Sequence, residues 1–173
     1  MRVPLILGSL IAGIGLAAVP TSAQAAPARC ETPVANQVRC YQVLSTKKST
    51  FKTLFTDGLI NQTSTSAKLE CYVEKTTKFA ASMGYSFSGG IKIKLLADMS
   101  SQSSVNISGE VSATRGSKIS KTVPARTTIL CDRGTYTYRA TIRRTGSNNQ
   151  TAIATTTKTA TAPSAVVWRF RTQ

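Results

Sequence analysis

The chain has no histidine, so its 173 residues can form neither a Ser-His-Asp nor a Cys-His arrangement. Carboxylates are few as well: Glu31, Asp57, Glu70, Glu74, Asp98, Glu110 and Asp132 are all there are. They are scattered and suggest no carboxylate pair for hydrolysis. No P-loop is present, and Gly89-Gly90 lacks the third glycine of a dinucleotide-binding turn. The four cysteines contain no C-x-x-C spacing, which disfavours a structural zinc site. Aromatic residues make up only 6% of the chain. The nearest mixtures of aromatic and basic residues are Tyr136-Thr137-Tyr138-Arg139 and Trp168-Arg169-Phe170-Arg171. These read more simply as core aromatics alternating with solvated arginines than as a nucleic-acid platform. Together the absences point to a protein that is not an enzyme, needs no cofactor or metal, and has no preference for nucleic acid.

The first residues do carry a signal. Arg2 precedes an almost wholly apolar run from Val3 to Val19, followed by small residues that end in Ala23-Gln24-Ala25. This is the three-part plan of a secretory leader with an A-x-A cleavage site, so residues 1–25 are read as a signal peptide and the protein as secreted and extracellular. Nothing after Ala26 is apolar enough to cross a bilayer as a helix. The remaining residues, 26–173, suit one domain. They hold 21 basic residues against 7 acidic, a net charge of about +14, which draws the protein toward acidic surfaces.

Four cysteines in a short exported chain imply disulfides. Three connectivities exist. The favoured one pairs Cys30 with Cys40, closing an N-terminal loop within 26–60, and Cys71 with Cys131, joining two segments that both read as strands.

The dominant pattern is alternation from Ala67 to Ala113. Of the 24 odd positions 18 are apolar, against three of the 23 even ones (Tyr72, Ala80 and Leu96). Period two places successive side chains on opposite faces of a half-buried strand. The stretch is too long for one strand, so it must fold back. The constant parity predicts odd-length loops, with Ser88-Gly89-Gly90 and Asp98–Gln102 as candidates. On this reading Ile93 is buried and Lys92 faces water. Short strands are expected at Val38–Leu44 and Phe51–Phe55, with turns at Thr56-Asp57-Gly58, Asp132-Arg133-Gly134 and Gly146–Asn149. Thr135–Arg143 alternates with the opposite parity, and Pro124 marks an edge or a bulge. Residues 151–173 supply C-terminal strands or a tail. The expected fold is all-β: an elongated antiparallel sheet or sandwich with long amphipathic Ser/Thr-rich strands, disulfide-stabilised, with 67–144 as its long-strand region.

A long Ser/Thr-rich alternating stretch followed by Thr122-Val123-Pro124-Ala125-Arg126-Thr127 resembles the aerolysin-type β-pore-forming family over about Gln62 to Arg144. The resemblance implies long twisted strands and an insertion hairpin within Phe79–Ala113. Its apolar face would carry Phe79, Met83, Tyr85, Phe87, Ile91, Ile93, Leu95, Val105, Ile107 and Val111. The chain departs from that family in lacking a separate receptor-binding domain and in having Ala125 where a second proline is common. It is also similar in plan to small exported bacterial β-proteins, some of which serve as adaptors in secreted toxin particles.

Three functions follow. The first is a secreted binding or adaptor module of an antagonism or toxin system. It would meet a protein partner or an anionic cell-surface ligand, with peripheral membrane contact, through Lys92, Lys94, Arg139, Arg143, Arg144, Arg169 and Arg171. The second is a small aerolysin-like membrane-active protein. The third is an inhibitor of a secreted enzyme that offers the Cys30–Cys40 loop, with Arg29 or Arg39 entering the target's pocket.

Overall fold

A computed structural model describes residues 25–173; the predicted leader, apart from Ala25, lies outside the described residues. The elements are β1 Arg29–Val34, β2 Gln37–Asn61, β3 Ala67–Tyr72, β4 Thr77–Ala80, α1 Gly89–Ser103, β5 Glu110–Ala113, β6 Lys118–Val123, β7 Thr127–Asn148 and β8 Thr151–Thr172. The fold is all-β and antiparallel with a single helix among the described residues. Its frame is a four-stranded sheet in the order β1-β2-β7-β8, and two further ribbons pair β3 with β6 and β4 with β5. Strands of 22 and 25 residues at about 3.3 Å per residue make this sheet roughly 70–80 Å long.

Two expected turns lie inside strands, because their residues serve neighbours instead. Asp57 accepts hydrogen bonds from the Gly58 and Tyr72 amides, so it ties β2 to β3 rather than bending β2. Asp132 is held by Thr56 and Arg171. At Gly134, a Cβ would stand 2.8 Å from the Phe51 ring, so the glycine there permits close approach of β2 rather than a turn. The β7–β8 turn falls at Asn149-Gln150, both with positive φ, leaving Gly146 in the strand. Pro124 sits between β6 and β7, outside both.

Every register shift between β7 and its neighbours places the extra residue in β2 or β8, so β7 alternates without interruption. Tyr138, Ala140 and Ile142 therefore face one side of the sheet, and Ile129 and Cys131 face the other. Each side has its own core. On the first, α1 packs over Tyr41, Val43, Tyr138, Ala140, Ile142, Ala160 and Ala162. On the second, near the opposite end, the β3–β6 ribbon packs Cys71 and Val123 against Leu59, Ile129 and Cys131. The even parity expected for Thr135–Arg143 is the parity that faces α1.

The helix is the main departure from expectation. Ile91, Leu95 and Met99 occupy odd positions, but four-residue steps fit one face of a helix as well as one face of a strand. Leu96, off the alternation, completes a helical stripe with them, and all four are buried. Ile93, expected inside, points away from the stripe and is 69% exposed. The expected loops at Ser88–Gly90 and Asp98–Gln102 are the start and the last turns of this helix. Ser88 caps it by accepting from the Ile91 amide, and Ser104 ends it in the left-handed conformation.

Candidate functional site

The segment between β2 and β7 is an insert, since Asn61 and Thr127 on either side of it are direct partners in the sheet. Within the insert, β3–β6 and β4–β5 share one register. Ala67 faces Val123, Tyr72 faces Lys118, Thr77 faces Ala113 and Ala80 faces Glu110. All of these pairs are symmetric about Leu95. Hydrogen bonds from the Val73 amide to the Ser117 carbonyl and from the Ala81 amide to the Gly109 carbonyl keep the same symmetry. The two ribbons are thus one hairpin with an irregular step at 73–76 and 114–117.

Beyond Ala81 and Gly109 the arms part. Ser82 exchanges backbone hydrogen bonds with Thr161 of β8, and the Ser108 amide donates to the Pro163 carbonyl. Gly84 then lies so close to β8 that a Cβ would meet the Lys158 Cβ at 2.7 Å and the Thr159 carbonyl at 2.8 Å. Past this point Tyr85, Phe87 and α1 fold onto the sheet. Tyr85 and Phe87 contact Tyr41 at ring distances of 5.8 and 4.7 Å, and the Tyr85 hydroxyl donates to Thr156.

Besides the apolar packing of α1 on the sheet, polar bonds to β1 and β2 fasten the tip of the hairpin. Asp98, in the buried part of α1, receives two hydrogen bonds from Arg29 at 2.6 and 2.9 Å. That bonding and the charge of Asp98 raise the Arg29 pKa. Glu31 accepts from the Ser88 amide. Partial burial works to raise its pKa, but hydrogen bonds from Ser88 and Tyr41 and the charge of Arg39 outweigh it and lower the value. Gln102 donates to the Val43 carbonyl and accepts from Thr46. Cys30–Cys40 joins β1 to β2 beside these contacts, and at the other end Cys71–Cys131 joins the ribbon to β7, as in the favoured pairing. Two disulfides mark a protein of an extracellular or otherwise oxidising environment.

The residues singled out in the sequence divide as follows. Phe79 and Val111 face each other in the β4–β5 ribbon. Met83, Tyr85, Phe87, Ile91, Leu95 and Ile107 gather in the core under α1, whereas Ile93 and Val105 are exposed. The basic residues do not form one surface. Lys92 and Lys94 lie on α1, and Arg139 and Arg143 are exposed on the face of the sheet opposite α1. Arg144 faces the α1 side, over the Tyr85 ring. Arg169 stands over Phe51 and Arg171 is paired with Asp132.

Sequence reasoning considered Arg29 only as an inhibitory side chain and missed its bond to Asp98, and it assigned no role to Gln102 or Lys158. Their partners lie 56 or more positions away in the chain, so no local spacing signals them. Comparison with family models, with curated proteins and with solved structures gave no match for this chain.

Proposed function

We propose that this is a secreted, non-enzymatic, membrane-active protein whose insert zips into a longer β-hairpin and joins a barrel of several subunits. The observation that carries this reading is the shared register. Continued past Ala81 and Gly109, it sets Met83 opposite Ile107, Tyr85 opposite Val105, Ile91 opposite Met99 and Ile93 opposite Ala97. Every apolar odd residue then falls on one face. The other face holds mainly Ser, Gly, Lys, Asn and Asp. Ile93 and Val105, exposed in the folded form, gain an apolar role in the extended one. Asp98, buried in the folded form, moves to the polar face. Each leg exceeds the roughly 9–11 residues that span the hydrocarbon, and closure into a barrel is required because open edges are not tolerated in lipid.

The aerolysin-type resemblance and the leader at residues 1–25 support this reading and secretion. Cys71–Cys131 fixes the base of the hairpin to β7, so the moving part begins beyond it, at about 73–117. An adaptor role would account for the basic charge but leaves the shared register and the exposed Ile93 without use. The inhibitor reading has less to support it. Arg29 is bound to Asp98, Arg39 lies within β2, and the tip of the Cys30–Cys40 loop is Ala35-Asn36.

The register can be trapped. In α1, Gly89 and Ser101 are 12 residues apart, about 18 Å along the axis, far beyond the roughly 4.4–6.8 Å that a disulfide spans. In the extended hairpin they face each other. The double variant Gly89→Cys/Ser101→Cys is expected to keep two free thiols in solution and to cross-link after exposure to vesicles that release trapped dye. Dye release without the cross-link would refute the register, and absence of release at any lipid composition would refute the function.

A further inference from the structure

A cleft of about 330 Å³ opens beside the moving arm, with Arg39, Tyr85, Ser86, Arg144 and Lys158 in its lining. Three of these are cations, one from each of β2, β7 and β8. The registers Arg39↔Gly146, Tyr41↔Arg144 and Ile142↔Lys158 put them on a diagonal across the α1 side of the sheet. Diagonal neighbours on one face stand about 7–8 Å apart. The Arg144 guanidinium and the Lys158 ammonium both lie over the Tyr85 ring, at 5.3 and 5.1 Å from its centre. Neither has a carboxylate partner among the described residues. Glu31, opposite Arg39, offsets that charge only, and it is already engaged by Ser88.

We infer that this cleft binds a phosphate group, supplied by the head group of an anionic membrane lipid. Two guanidinium forks and an ammonium, with the Ser86 hydroxyl beside them, suit the oxygens of a phosphate. The inference rests on the membrane reading for its consequence. The cations that would hold the phosphate are those that hold Tyr85 by cation–π attraction. An anion that draws Arg144 and Lys158 away from the ring loosens the arm at the point where it leaves β8. Contact with the lipid surface would thus be coupled to release of the hairpin.

The test compares two double variants that each remove two positive charges. Arg144→Gln/Lys158→Gln empties the cleft of two cations, while Arg139→Gln/Arg143→Gln neutralises the opposite face. Thermal melts without anion establish that each is folded. Binding is then measured by titration with inorganic phosphate and by sedimentation with phosphatidylcholine vesicles containing phosphatidic acid. The cleft variant is expected to bind the vesicles at least tenfold more weakly, and the control less than about threefold. Competition of inorganic phosphate for the vesicle-bound protein supports recognition of the phosphate itself. Vesicle binding that needs Arg144 and Lys158 but is indifferent to free phosphate supports recognition of the whole head group. Equal losses in the two variants, or no binding to acidic vesicles by the native chain, would overturn the inference. Dye release is read separately: binding without release leaves the cleft standing and removes the insertion reading.

Discussion

Ile93 and Leu95 are two residues apart on the same sequence parity, and the structure gives them opposite surroundings. Leu95 is fully buried under the sheet, whereas Ile93 is 69% exposed on the outer side of α1. In the soluble protein Leu95→Asp places an unpaired carboxylate in the α1 core, a cost of several kcal/mol that approaches the whole stability of a small domain. Ile93→Asp is a surface change worth about 0.5 kcal/mol or less. In the proposed extended hairpin both side chains would lie toward the tip, with Ile93 on the lipid face. A basic residue on the lipid face of a barrel costs about 2–4 kcal/mol at the midplane and about 0–1 kcal/mol near the interfaces, and an acidic one costs less. For Ile93→Asp, close to the tip, this gives at most about 1 kcal/mol in each subunit, repeated around the barrel. Calorimetric melting should therefore separate the two variants in solution, with Ile93→Asp within a few degrees of the native chain. Dye release from vesicles should fall strongly for Ile93→Asp despite its intact fold. A large loss of thermal stability in Ile93→Asp would refute the helical stripe. Full dye release by a folded Ile93→Asp protein would refute its place on the inserted face.

Asp98→Asn removes the charge that Arg29 holds; it should lower stability by about 1–3 kcal/mol and shorten the lag before dye release, measured by melting and stopped-flow fluorescence. Asp132 has a lowered pKa because Arg171 hydrogen-bonds to it; burial opposes this, while Thr56 and the charges of Arg171 and Arg169 add to it. Its contribution to stability is therefore complete above the unfolded value of about 4 and is lost as pH falls from there through the folded value. Melting temperatures taken between pH 6 and 2 should show that loss, and Asp132→Asn should flatten it. Replacing Cys71 and Cys131 by serine opens a 60-residue closure and should cost about 4 kcal/mol on the chain-entropy account; urea titration of the oxidised native chain and the variant gives the difference directly.

Much of the frame was legible because burial on one side of a strand imposes period two, and the chain shows it clearly in 67–80 and 105–113, which are mostly ribbon, and in the even positions of β7. The cysteine pairing was legible for the same reason, since both halves of Cys71–Cys131 lie in segments that read as strands. The long strands were not, because Asp57-Gly58 and Asp132-Arg133-Gly134 look like turns. Their carboxylates are consumed by Tyr72, Thr56 and Arg171, and Gly134 by the approach of Phe51. These partners come from remote parts of the chain, and no window of local sequence contains them. The Arg29–Asp98 pair and the cationic cleft were hidden in the same way. The helix was missed for another reason: its core residues fit both periods, and only Leu96 and Ile93 distinguish them.

That ambiguity bears on how the insert would serve the two states proposed for it. Residues four apart lie on one side of a helix and on one side of a strand, so Ile91, Leu95 and Met99 keep an apolar environment in either. Each state leaves one residue badly placed: Ile93 in water in the folded form, and Leu96 on the polar parity in the extended form, where it falls at the hairpin tip. What selects the folded form lies largely outside the helix. Arg29, Glu31, Val43 and Thr46, which bind Asp98, Ser88 and Gln102, belong to β1 and β2. None of these bonds belongs to the ladder of the four-stranded sheet or to the disulfide at the hairpin base. The apolar face released with them must then find a new partner, because exposing Leu95, Met99 and Ile91 to water forfeits roughly 1.5–3 kcal/mol for each. Lipid can supply that partner and water cannot. The hairpin is therefore expected to open at a membrane surface and to stay closed in solution.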